Sequence, residues 1–374
     1  MKTVIITGVT GQDGSHMADY LLANTDYNII GVVRRLSVPN HGNIRHVNNA
    51  RFSIVEADIC DSQSISNLIQ KYKPDYFINF AANSFVGSSW EMPLNHMTTN
   101  CLAVMFQLEA IRKFCPTCRY YNAGSSEEFG DGMYMPQDER HPLRPRSPYG
   151  ASKAAARHIV KVWRDSYCLY AIQGWLFNHE GTRRGTEFVT RKITCNVARI
   201  KNEINLSLGS GDQPLKLKPL ELGNLLSKRD WSDAEDFVDG VWKMLNQEVY
   251  RQDLQPELYQ GASYSKDLIS PLKEYVLSSN ETHTVKEFVQ VAFAAAGIEG
   301  VWLGDPGTIN EVFIHKQLKC PLVVVNPTFF RPAEVEILLG DSTEARRHIR
   351  WIPKTSFSEL VKKMVGNDLR NPVP

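Results

Sequence analysis

The feature of this sequence that most restricts its fold is a glycine-rich turn near the N-terminus. Residues 2–7 form a short run of mainly β-branched side chains, and Gly8, Gly11 and Gly14 follow it at a spacing of three residues. Glycine at these positions permits a tight strand-to-helix turn and lets backbone N–H groups approach a diphosphate at the start of the helix. The turn therefore predicts that the chain begins with a dinucleotide-binding βαβ unit.

Strand-like and helix-like segments alternate through the N-terminal half. The predicted strands are 2–7, 28–34, 52–56, 75–80, 119–123 and 171–177, and the predicted helices are 14–23, 62–71, 103–114 and 148–165. Strict alternation implies right-handed crossovers and a parallel sheet with helices on both faces. We predict an α/β fold with a Rossmann-type doubly wound parallel sheet over residues 1–178. A smaller, mixed α/β substrate domain is expected over 179–374, with part of 230–280 returning to the Rossmann core.

The C-terminal half carries fewer regular patterns. A helix is predicted over 285–296, because Thr284 can cap it, Glu287 lies three residues further on, and Gly297 can end it. Further helices are predicted over 188–204, 343–349 and 356–366. The Gly- and Pro-rich stretch 207–222 is predicted to be a loop followed by an edge strand.

Charge and cysteine content exclude several classes of protein. The 42 Lys and Arg residues are balanced by 41 Asp and Glu residues, so no overall field attracts nucleic acid or an anionic membrane. No run approaches the roughly 18 apolar residues of a membrane span, and the N-terminal run is too short for a signal peptide. Cys115 and Cys118 have no second metal-ligating pair. We expect a cytoplasmic protein with reduced thiols, no metal, no membrane and no nucleic acid.

The end of the second strand bears on the choice of dinucleotide. An acidic residue there would bind the ribose 2′-hydroxyl of NAD, whereas this chain has Arg34 and Arg35, followed by Ser37. Guanidinium groups suit a 2′-phosphate, which favours NADP; the alternative is a solvated basic turn. Asp58, just past the third strand, is placed to accept a hydrogen bond from the adenine amino group, although Asp is also a common cap at strand ends.

Two further motifs carry candidate catalytic residues. One follows the fifth strand, and the other opens a long helix. Tyr149 and Lys153 have the i, i+4 spacing that puts both side chains on one helix face, where an ammonium stabilises a phenolate. Ser125 could hydrogen-bond a sugar hydroxyl, and Glu127 could serve as general acid and base. The alternative is a polar loop with capping serines and solvated carboxylates, which is the favoured interpretation for Glu128.

Longer segments carry a resemblance along the whole chain. They are GVTGQDGS, VVRRLS, SSEEFG, RSPYGASK, FNHEGTRRGTEFVTRKIT at 177–194, LGNLLSKRDWSDAEDFV at 222–238, ETHTVKEF at 281–288 and FFRPAEVEILLGDSTEA at 329–345. With these segments the chain resembles the extended short-chain dehydrogenase/reductases, and specifically the GDP-mannose 4,6-dehydratase family. The block 177–194 and the RDW segment are specific to that family, whereas the glycine and YxxxK motifs occur throughout the superfamily.

The resemblance implies a reaction sequence that is redox-neutral overall. Tyr149 takes the proton of the sugar 4-hydroxyl while NADP+ takes hydride from C4, and Lys153 lowers the tyrosine pKa and holds the nicotinamide ribose. Ser125 shares the hydrogen bond to the 4-oxygen. Glu127 then removes the C5 proton and helps to expel the C6 hydroxyl as water, after which hydride returns to C6. A carboxyl that serves first as base and then as acid meets the need of the elimination.

The resemblance also implies the binding residues. The cofactor-binding residues are Gly8, Gly11, Gln12, Asp13, Gly14, Arg34, Arg35, Ser37, Asp58, Ile59, Phe80, Ala81, Ala82, Ser84, Tyr149, Lys153, His179 and Arg184. The residues expected around the GDP-sugar substrate are Ser126, Asn178, Lys192, Arg229, Arg331 and Glu334. The family uses the Arg34–Arg35 loop at a subunit contact, so a homodimer or homotetramer is implied.

The chain departs from the family pattern at several positions. Ser125 stands in place of Thr, and the segments 83–85, 128–129 and 181–182 differ from the usual residues. A GDP-heptose or another related GDP-sugar is therefore an alternative substrate within the same reaction. A nucleotide-sugar epimerase or 4-keto-sugar reductase would keep Tyr149 and Lys153 without requiring Glu127. A cofactor-sensing protein with a dead site would usually lack the Tyr–Lys pair.

Overall fold

A computed structural model describes residues 1–210, 217–247, 272–330 and 337–372, with the side chains of 208–210 outside the description. The chain forms two compact units. The first comprises Met1–Phe177, Ala234–Ser278 and Gly340–Ile352, and the second comprises Asn178–Asp233, Ser279–Leu339 and Pro353–Pro374. The return of residues 340–352 to the first unit is not among the sequence predictions. No described helix is long and apolar enough to cross a membrane.

The first unit is built on a seven-stranded sheet whose paired neighbours are all parallel. Its strands are β1 Thr3–Thr7, β2 Asn28–Val33, β3 Phe52–Glu56, β4 Tyr76–Asn79, β5 Arg119–Ala123, β6 Ala171–Leu176 and β11 Val276–Leu277. The spatial order β11-β6-β5-β4-β1-β2-β3 reverses direction at β1, as doubly wound dinucleotide-binding sheets do. The predicted fold class is confirmed.

Helices cover both faces of this sheet. They are α1 Gln12–Asn24, α2 Ser62–Tyr72, α3 Pro93–Met97, α4 Ala103–Phe114, α5 Pro148–Tyr167, α7 Ala234–Leu245 and α9 Thr343–His348, with a π-helical turn over Thr98–Leu102 between α3 and α4. Because successive side chains of a strand point to opposite faces, Val4 and Ile6 pack in one core with Met17 and Val241, whereas Ile5 lies in the other core. Fully burying each such side chain contributes about 1.5–3 kcal/mol.

In its described residues, the second unit combines three α-helices with three small sheets. The helices are α6 Val189–Ser210, α8 Val285–Ala295 and α10 Phe357–Arg370. The strands are β7 Asn178–Glu180, β8 Leu220–Leu222, β9 Lys228–Arg229, β10 Trp231–Asp233, β12 His283–Thr284, β13 Gly300–Leu303, β14 Val312–His315, β15 Pro321–Val325 and β16 Ile337–Leu338. Their sheets have the orders β10-β7, β12-β9-β16 and β13-β14-β15-β8.

The predicted elements of the second unit are confirmed in part. Thr284 and Glu287 form the expected capping box at the start of α8. The loop expected from residue 207 onwards is wrong at its start, because α6 continues to Ser210. Residues 211–216 of that stretch lie outside the described residues, and β8 follows as the expected strand.

Candidate active site

The turn between β1 and α1 has the shape that the glycine pattern predicts. Gly8 has a φ of +67°, and a Cβ atom there would lie 2.7 Å from the backbone nitrogen of Ala81. A Cβ atom on Gly14 would collide with the carbonyl of Gly8. The N-cap of α1 is Gly11, which has no side chain to cap the first N–H groups of the helix. The tight approach of the Gly8 turn to Ala81 and the lack of side-chain bulk at the N-terminus of α1 fit a dinucleotide diphosphate.

Other predicted cofactor residues surround this turn. Gln12 is buried, and its Nε2 donates to Asp13 Oδ1 over 3.2 Å. Phe80, Ala81 and Ala82 follow the carboxyl end of β4 and are half-buried, whereas Ser84 is exposed. The structure therefore brings the β1 and β4 ends together at the edge of the sheet where ligands of doubly wound folds bind.

The residues past β2 and β3 differ in their surroundings. Arg34, Arg35 and Ser37 are exposed, and neither guanidinium has a hydrogen-bond or ion-pair partner within the part of the chain that the structure describes. Asp58 Oδ1 accepts a hydrogen bond from the Cys60 N–H over 2.9 Å, so one oxygen of this carboxylate caps the local backbone. Ile59, which follows it, is buried.

Helix α5 presents Tyr149 and Lys153 one turn apart. The helix begins where Ser147 Oγ accepts the Gly150 N–H over 3.0 Å, with Pro148 in the first turn. Tyr149 is 7% exposed and Lys153 is 3% exposed. The Lys153 ammonium lies 5.9 Å from the centre of the Tyr149 ring and donates to the Ala123 carbonyl over 2.8 Å. The lysine thus joins the tyrosine helix to the end of β5.

Burial changes the acidity of this lysine. Loss of hydration lowers the pKa of Lys153 to about 8, and the negative charges of Glu128 and Asp13 act in the opposite direction. A buried ammonium beside an aromatic hydroxyl favours the ionised phenolate over the neutral phenol. Lys153 therefore retains its charge at neutral pH, where it stabilises negative charge on Tyr149.

The turn after β5 carries the two remaining predicted catalytic residues. Ser125 caps a short 3₁₀ helix over Ser126–Glu128, and its Oγ accepts the Glu127 N–H over 3.2 Å. Ser126 is buried and Glu127 is half-buried. A Cβ atom on Gly150 would lie 2.5 Å from the carbonyl oxygen of Glu127, so the start of α5 lies directly against this turn.

Glu128 corrects a prediction made from the sequence. The residue was expected to be a solvated carboxylate, but its side chain is completely buried. Oε1 accepts the Ser125 N–H over 2.8 Å, and Oε2 forms an ion pair with Arg157 at 2.5 Å. Arg157 also pairs with Glu274 at 2.8 Å. A buried carboxylate requires such partners, and the arginine two turns beyond Tyr149 on α5 is the sequence signal that could have indicated one.

The sequence analysis also missed two residues in the segment before α4. Asn100 donates to Ser152 Oγ over 3.1 Å and accepts the Asn83 N–H over 2.9 Å, so it connects the loop after β4 to α5. The His96 ring stands edge-on to the Tyr149 ring, with 6.1 Å between their centres. Burial and the charge of Lys153 lower the pKa of His96, which keeps this imidazole neutral at neutral pH. The segment 93–102 also contains Asn95, Thr98 and Thr99, so no local pattern in the sequence distinguishes His96 and Asn100.

The remaining predicted binding residues belong to the second unit. Asn178 and His179 lie in β7, and Arg229 lies buried in β9. The Arg184 side chain lies 3.1 Å from the Glu180 carboxylate and stacks over a phenylalanine ring. The Lys192 ammonium lies 3.7 Å from the centre of the Phe329 ring, and burial lowers the pKa of this lysine. Two further predictions, Arg331 and Glu334, lie outside the described residues.

Comparisons with known proteins agree on one family. The sequence profile of the family described as GDP-mannose 4,6 dehydratase matches residues 5–255 and 268–364. The GDP-mannose 4,6 dehydratase of Drosophila melanogaster is 36% identical to the chain over 100% of its length and 88% of the relative. The human GDP-mannose 4,6 dehydratase is also 36% identical, over 98% of this chain and 91% of its own.

Solved structures of lower sequence identity share the fold. The dTDP-glucose 4,6-dehydratase of Bacillus anthracis, in complex with NAD, matches with a TM-score of 0.73 at 19% identity and covers 99% of this chain and 97% of its own. RMD from Pseudomonas aeruginosa, complexed with NADPH, matches with a TM-score of 0.71 at 18% identity over 99% of both chains.

Proposed function

Because this chain belongs to the GDP-mannose 4,6-dehydratase family, we propose that it converts GDP-mannose to GDP-4-keto-6-deoxymannose. The reaction oxidises C4, eliminates water across C5 and C6 and returns hydride to C6. The observation that carries the proposal is the contact of the Glu127 turn with the first turn of the Tyr149–Lys153 helix at Gly150. The residues proposed to oxidise C4 therefore lie next to a turn that carries a carboxyl group, and the elimination requires a carboxyl group.

Oxidation at C4 depends on Tyr149 and Lys153. Tyr149 as phenolate takes the proton of the sugar 4-hydroxyl, and Ser125 hydrogen-bonds the same oxygen. Lys153 stabilises the phenolate because its ammonium is held between the Tyr149 ring and the Ala123 carbonyl. When bound, NADP supplies the chemistry of accepting hydride from C4 and giving it back at C6. His96, neutral and edge-on to the tyrosine ring, adds no charge that competes with Lys153.

Elimination depends on Glu127. The 4-keto group acidifies the proton on C5, and the Glu127 carboxylate removes it. The carboxyl group formed in this way protonates the C6 hydroxyl, which leaves as water. Capping by Ser125 fixes the backbone of Glu127, so the carboxylate is carried on a short and ordered turn. One group therefore acts as base and then as acid in the elimination. When hydride returns to C6, C5 takes up a proton, which balances the proton that Tyr149 removed from the 4-hydroxyl.

Binding of the cofactor rests on the Gly8 turn and on the loops after β2, β3 and β4. The diphosphate would lie at the N-terminus of α1, and the exposed Arg34 and Arg35 would bind a 2′-phosphate. This arrangement supports NADP in preference to NAD. Lys192 and Arg229 would neutralise the GDP diphosphate. Further roles in cofactor or substrate binding are proposed for Ser126, Asn178, His179 and Arg184.

The experiment that tests this function is mass spectrometry of GDP-mannose incubated with the purified protein and no added reductant. We expect a product lighter by one water. Glu127→Gln should block its formation, whereas the control Glu299→Gln should not, since that exposed glutamate pairs only with exposed Lys316 among the described residues. Water loss from a GDP-heptose instead of GDP-mannose would keep the mechanism and change the substrate. An unchanged mass for every GDP-sugar tested would overturn the dehydratase assignment in favour of an epimerase or a reductase.

We also infer that the protein forms a homodimer or a homotetramer. Large apolar side chains are exposed together on the segment before α4, at Trp90, Met92, Leu94, Met97 and Leu102. Apolar surface of this kind is typical of subunit contacts. Light scattering coupled to gel filtration should give a mass of two or four chains, and a mass of one chain would contradict this inference.

A further inference from the structure

Four polar side chains lie buried in register across the centre of the seven-stranded sheet. They are Thr7, Asn79, Asn122 and Gln173, on β1, β4, β5 and β6. Each is the direct neighbour of the next in the strand pairing. We call this set the polar ladder. Strands buried on both faces are usually apolar, so a row of polar side chains here requires an explanation.

Hydrogen bonds join the members of the polar ladder in sequence. Thr7 Oγ1 donates to Asn79 Oδ1 over 2.5 Å, and Asn79 Nδ2 donates to Asn122 Oδ1 over 2.7 Å. Asn122 Nδ2 donates to Gln173 Oε1 over 2.6 Å. Gln107 adds one donor from the side, to Asn79 Oδ1 over 3.2 Å. The bonds of the row all run in one direction, from β1 towards β6.

The two ends of the polar ladder contact the parts of the proposed active site. At the β1 end, Thr7 Oγ1 accepts the N–H of Ala81 over 3.3 Å, the same nitrogen that closes over Gly8. At the β6 end, Gln173 Nε2 donates to the Lys153 carbonyl over 3.0 Å and to Glu128 Oε1 over 2.9 Å. The latter oxygen also holds the Ser125 N–H, at 2.8 Å. The row therefore extends from the cofactor turn to both catalytic segments.

The carboxylate at the end fixes the direction of the whole row. An ionised carboxylate only accepts hydrogen bonds, so Gln173 must present its NH₂ group to Glu128 and its oxygen to Asn122. The same requirement then orients Asn122 and, through it, Asn79. Bonds aligned head to tail polarise one another, and a break at one position leaves unpaired polar groups on both sides of it.

We infer that the polar ladder is a positioning device, which holds the Gly8–Ala81 cofactor turn in register with the Ser125 turn and the Lys153 helix. Its residues touch neither sugar nor nicotinamide in the mechanism proposed above, so they act through Ala81, Ser125 and Lys153. Apolar side chains of similar size would fill the same space without hydrogen bonds to these three segments. The effect on catalysis rests on the proposed function, whereas the connection of the two turns does not.

The test uses Asn122→Asp, which keeps the size of the side chain but replaces its donor with a second acceptor facing Gln173 Oε1. Thr7→Val removes only the hydroxyl at the far end and serves as a second variant if Asn122→Asp fails to fold. Tyr170→Phe is the matched control, because it removes a buried hydrogen bond to the Met244 carbonyl in the same unit but outside the row. The measurements are hydrogen–deuterium exchange of the full chain and the kcat and KM for GDP-mannose.

We expect Asn122→Asp to accelerate exchange about tenfold at both the Ala81 and Ser125 amides, and to lower kcat about tenfold with little change in KM. Thr7→Val should also accelerate exchange at Ser125, which the other end of the row holds through Gln173 and Glu128. Tyr170→Phe should change neither amide nor kcat. Acceleration confined to the neighbours of the substituted residue would overturn the inference. Hydrogen–deuterium exchange needs no substrate. If the wild-type protein has no dehydratase activity, the proposed function is refuted, and the exchange rates alone still test the polar ladder.

Discussion

The carbonyl oxygen of Glu127 lies against the Cα of Gly150, where a Cβ atom would come within 2.5 Å of it. This close approach connects the residue proposed for the elimination to the helix that carries Tyr149 and Lys153. The backbone of the two segments therefore sets the relative position of the groups that we propose to act at C4 and at C5. The first prediction follows directly from this contact.

Gly150→Ala should impair catalysis with a folded protein retained. The added methyl group cannot avoid a backbone oxygen, and overpacking of this kind costs about 1–3 kcal/mol. If the Glu127 turn moves away to accommodate it, kcat should fall about 10- to 100-fold. Gly366→Ala is the control, since the nearest atom to a Cβ there is 3.6 Å away at the end of the Arg370 side chain. Steady-state kinetics with circular dichroism check the prediction, and unchanged kcat in Gly150→Ala would refute it.

The pH dependence of activity should show the titration of Lys153. The pKa of this lysine is lowered to about 8, so kcat/KM should fall as pH rises through about 8 and the ammonium is lost. The unfolded chain binds more protons at this lysine between pH 8 and its ordinary pKa of 10.5, so this residue makes the free energy of unfolding rise with pH there. A loss of activity between pH 8 and 10.5 therefore cannot be explained by an effect of Lys153 on the free energy of unfolding. A profile that stays flat to pH 10 would contradict the assignment.

Glu128→Gln should move the basic limb of that profile to lower pH. The negative charge of Glu128 raises the pKa of Lys153, and glutamine removes the charge while keeping an oxygen to accept the Ser125 N–H. The pH profile of kcat/KM for the variant and the wild type provides the comparison. A basic limb at the same pH, or at a higher one, would show that Glu128 does not support the charge of Lys153.

Arg34→Ala combined with Arg35→Ala should weaken binding of NADP about tenfold or more and leave NAD binding nearly unchanged. The two exposed guanidinium groups are proposed to bind the 2′-phosphate, which NAD lacks. Isothermal titration calorimetry with each dinucleotide measures this, with Arg347→Ala on the exposed part of α9 as control. An equal loss of affinity for NADP and NAD would show that the two arginines do not bind the 2′-phosphate.

Lys192→Met should raise the KM for GDP-mannose about tenfold with a smaller effect on kcat. The ammonium is proposed to bind the diphosphate, and hydrogen bonds to charged groups contribute about 1.5–3 kcal/mol. Methionine preserves the packing against the Phe329 ring. Lys316→Met, at an exposed lysine, is the control. A large fall in kcat at constant KM would contradict a role in binding alone.

The sequence predicted well those features that local patterns determine. Strand and helix alternation predicted six strands of the large sheet, because short apolar segments and longer amphipathic ones are separated by glycine, proline or polar residues. The capping box at Thr284 and the start of α5 at Ser147 depend on residues three positions apart, which a linear inspection shows. The Gly8 turn depends on backbone geometry that few residues other than glycine adopt.

The sequence analysis missed features that depend on residues far apart in the chain. Glu128 is buried because Arg157 and Gln173 meet it, and nothing within the SSEEFG segment indicates those partners. The polar ladder joins one side chain from each of four strands, and no single strand segment shows which residues of the other strands lie beside it. The short strands β13 to β15 pair with one another and with β8, so their stability comes from packing rather than from local pattern.

The proposed mechanism is tested most directly by following the hydrogen that it transfers from C4 to C6. GDP-mannose carrying deuterium at C4 is incubated with the protein and a small amount of NADP, and the product is analysed by mass spectrometry and NMR. We expect a product that has lost one water and carries the deuterium at C6. A product that keeps deuterium at C4, or one that has lost no water, would contradict the proposed mechanism.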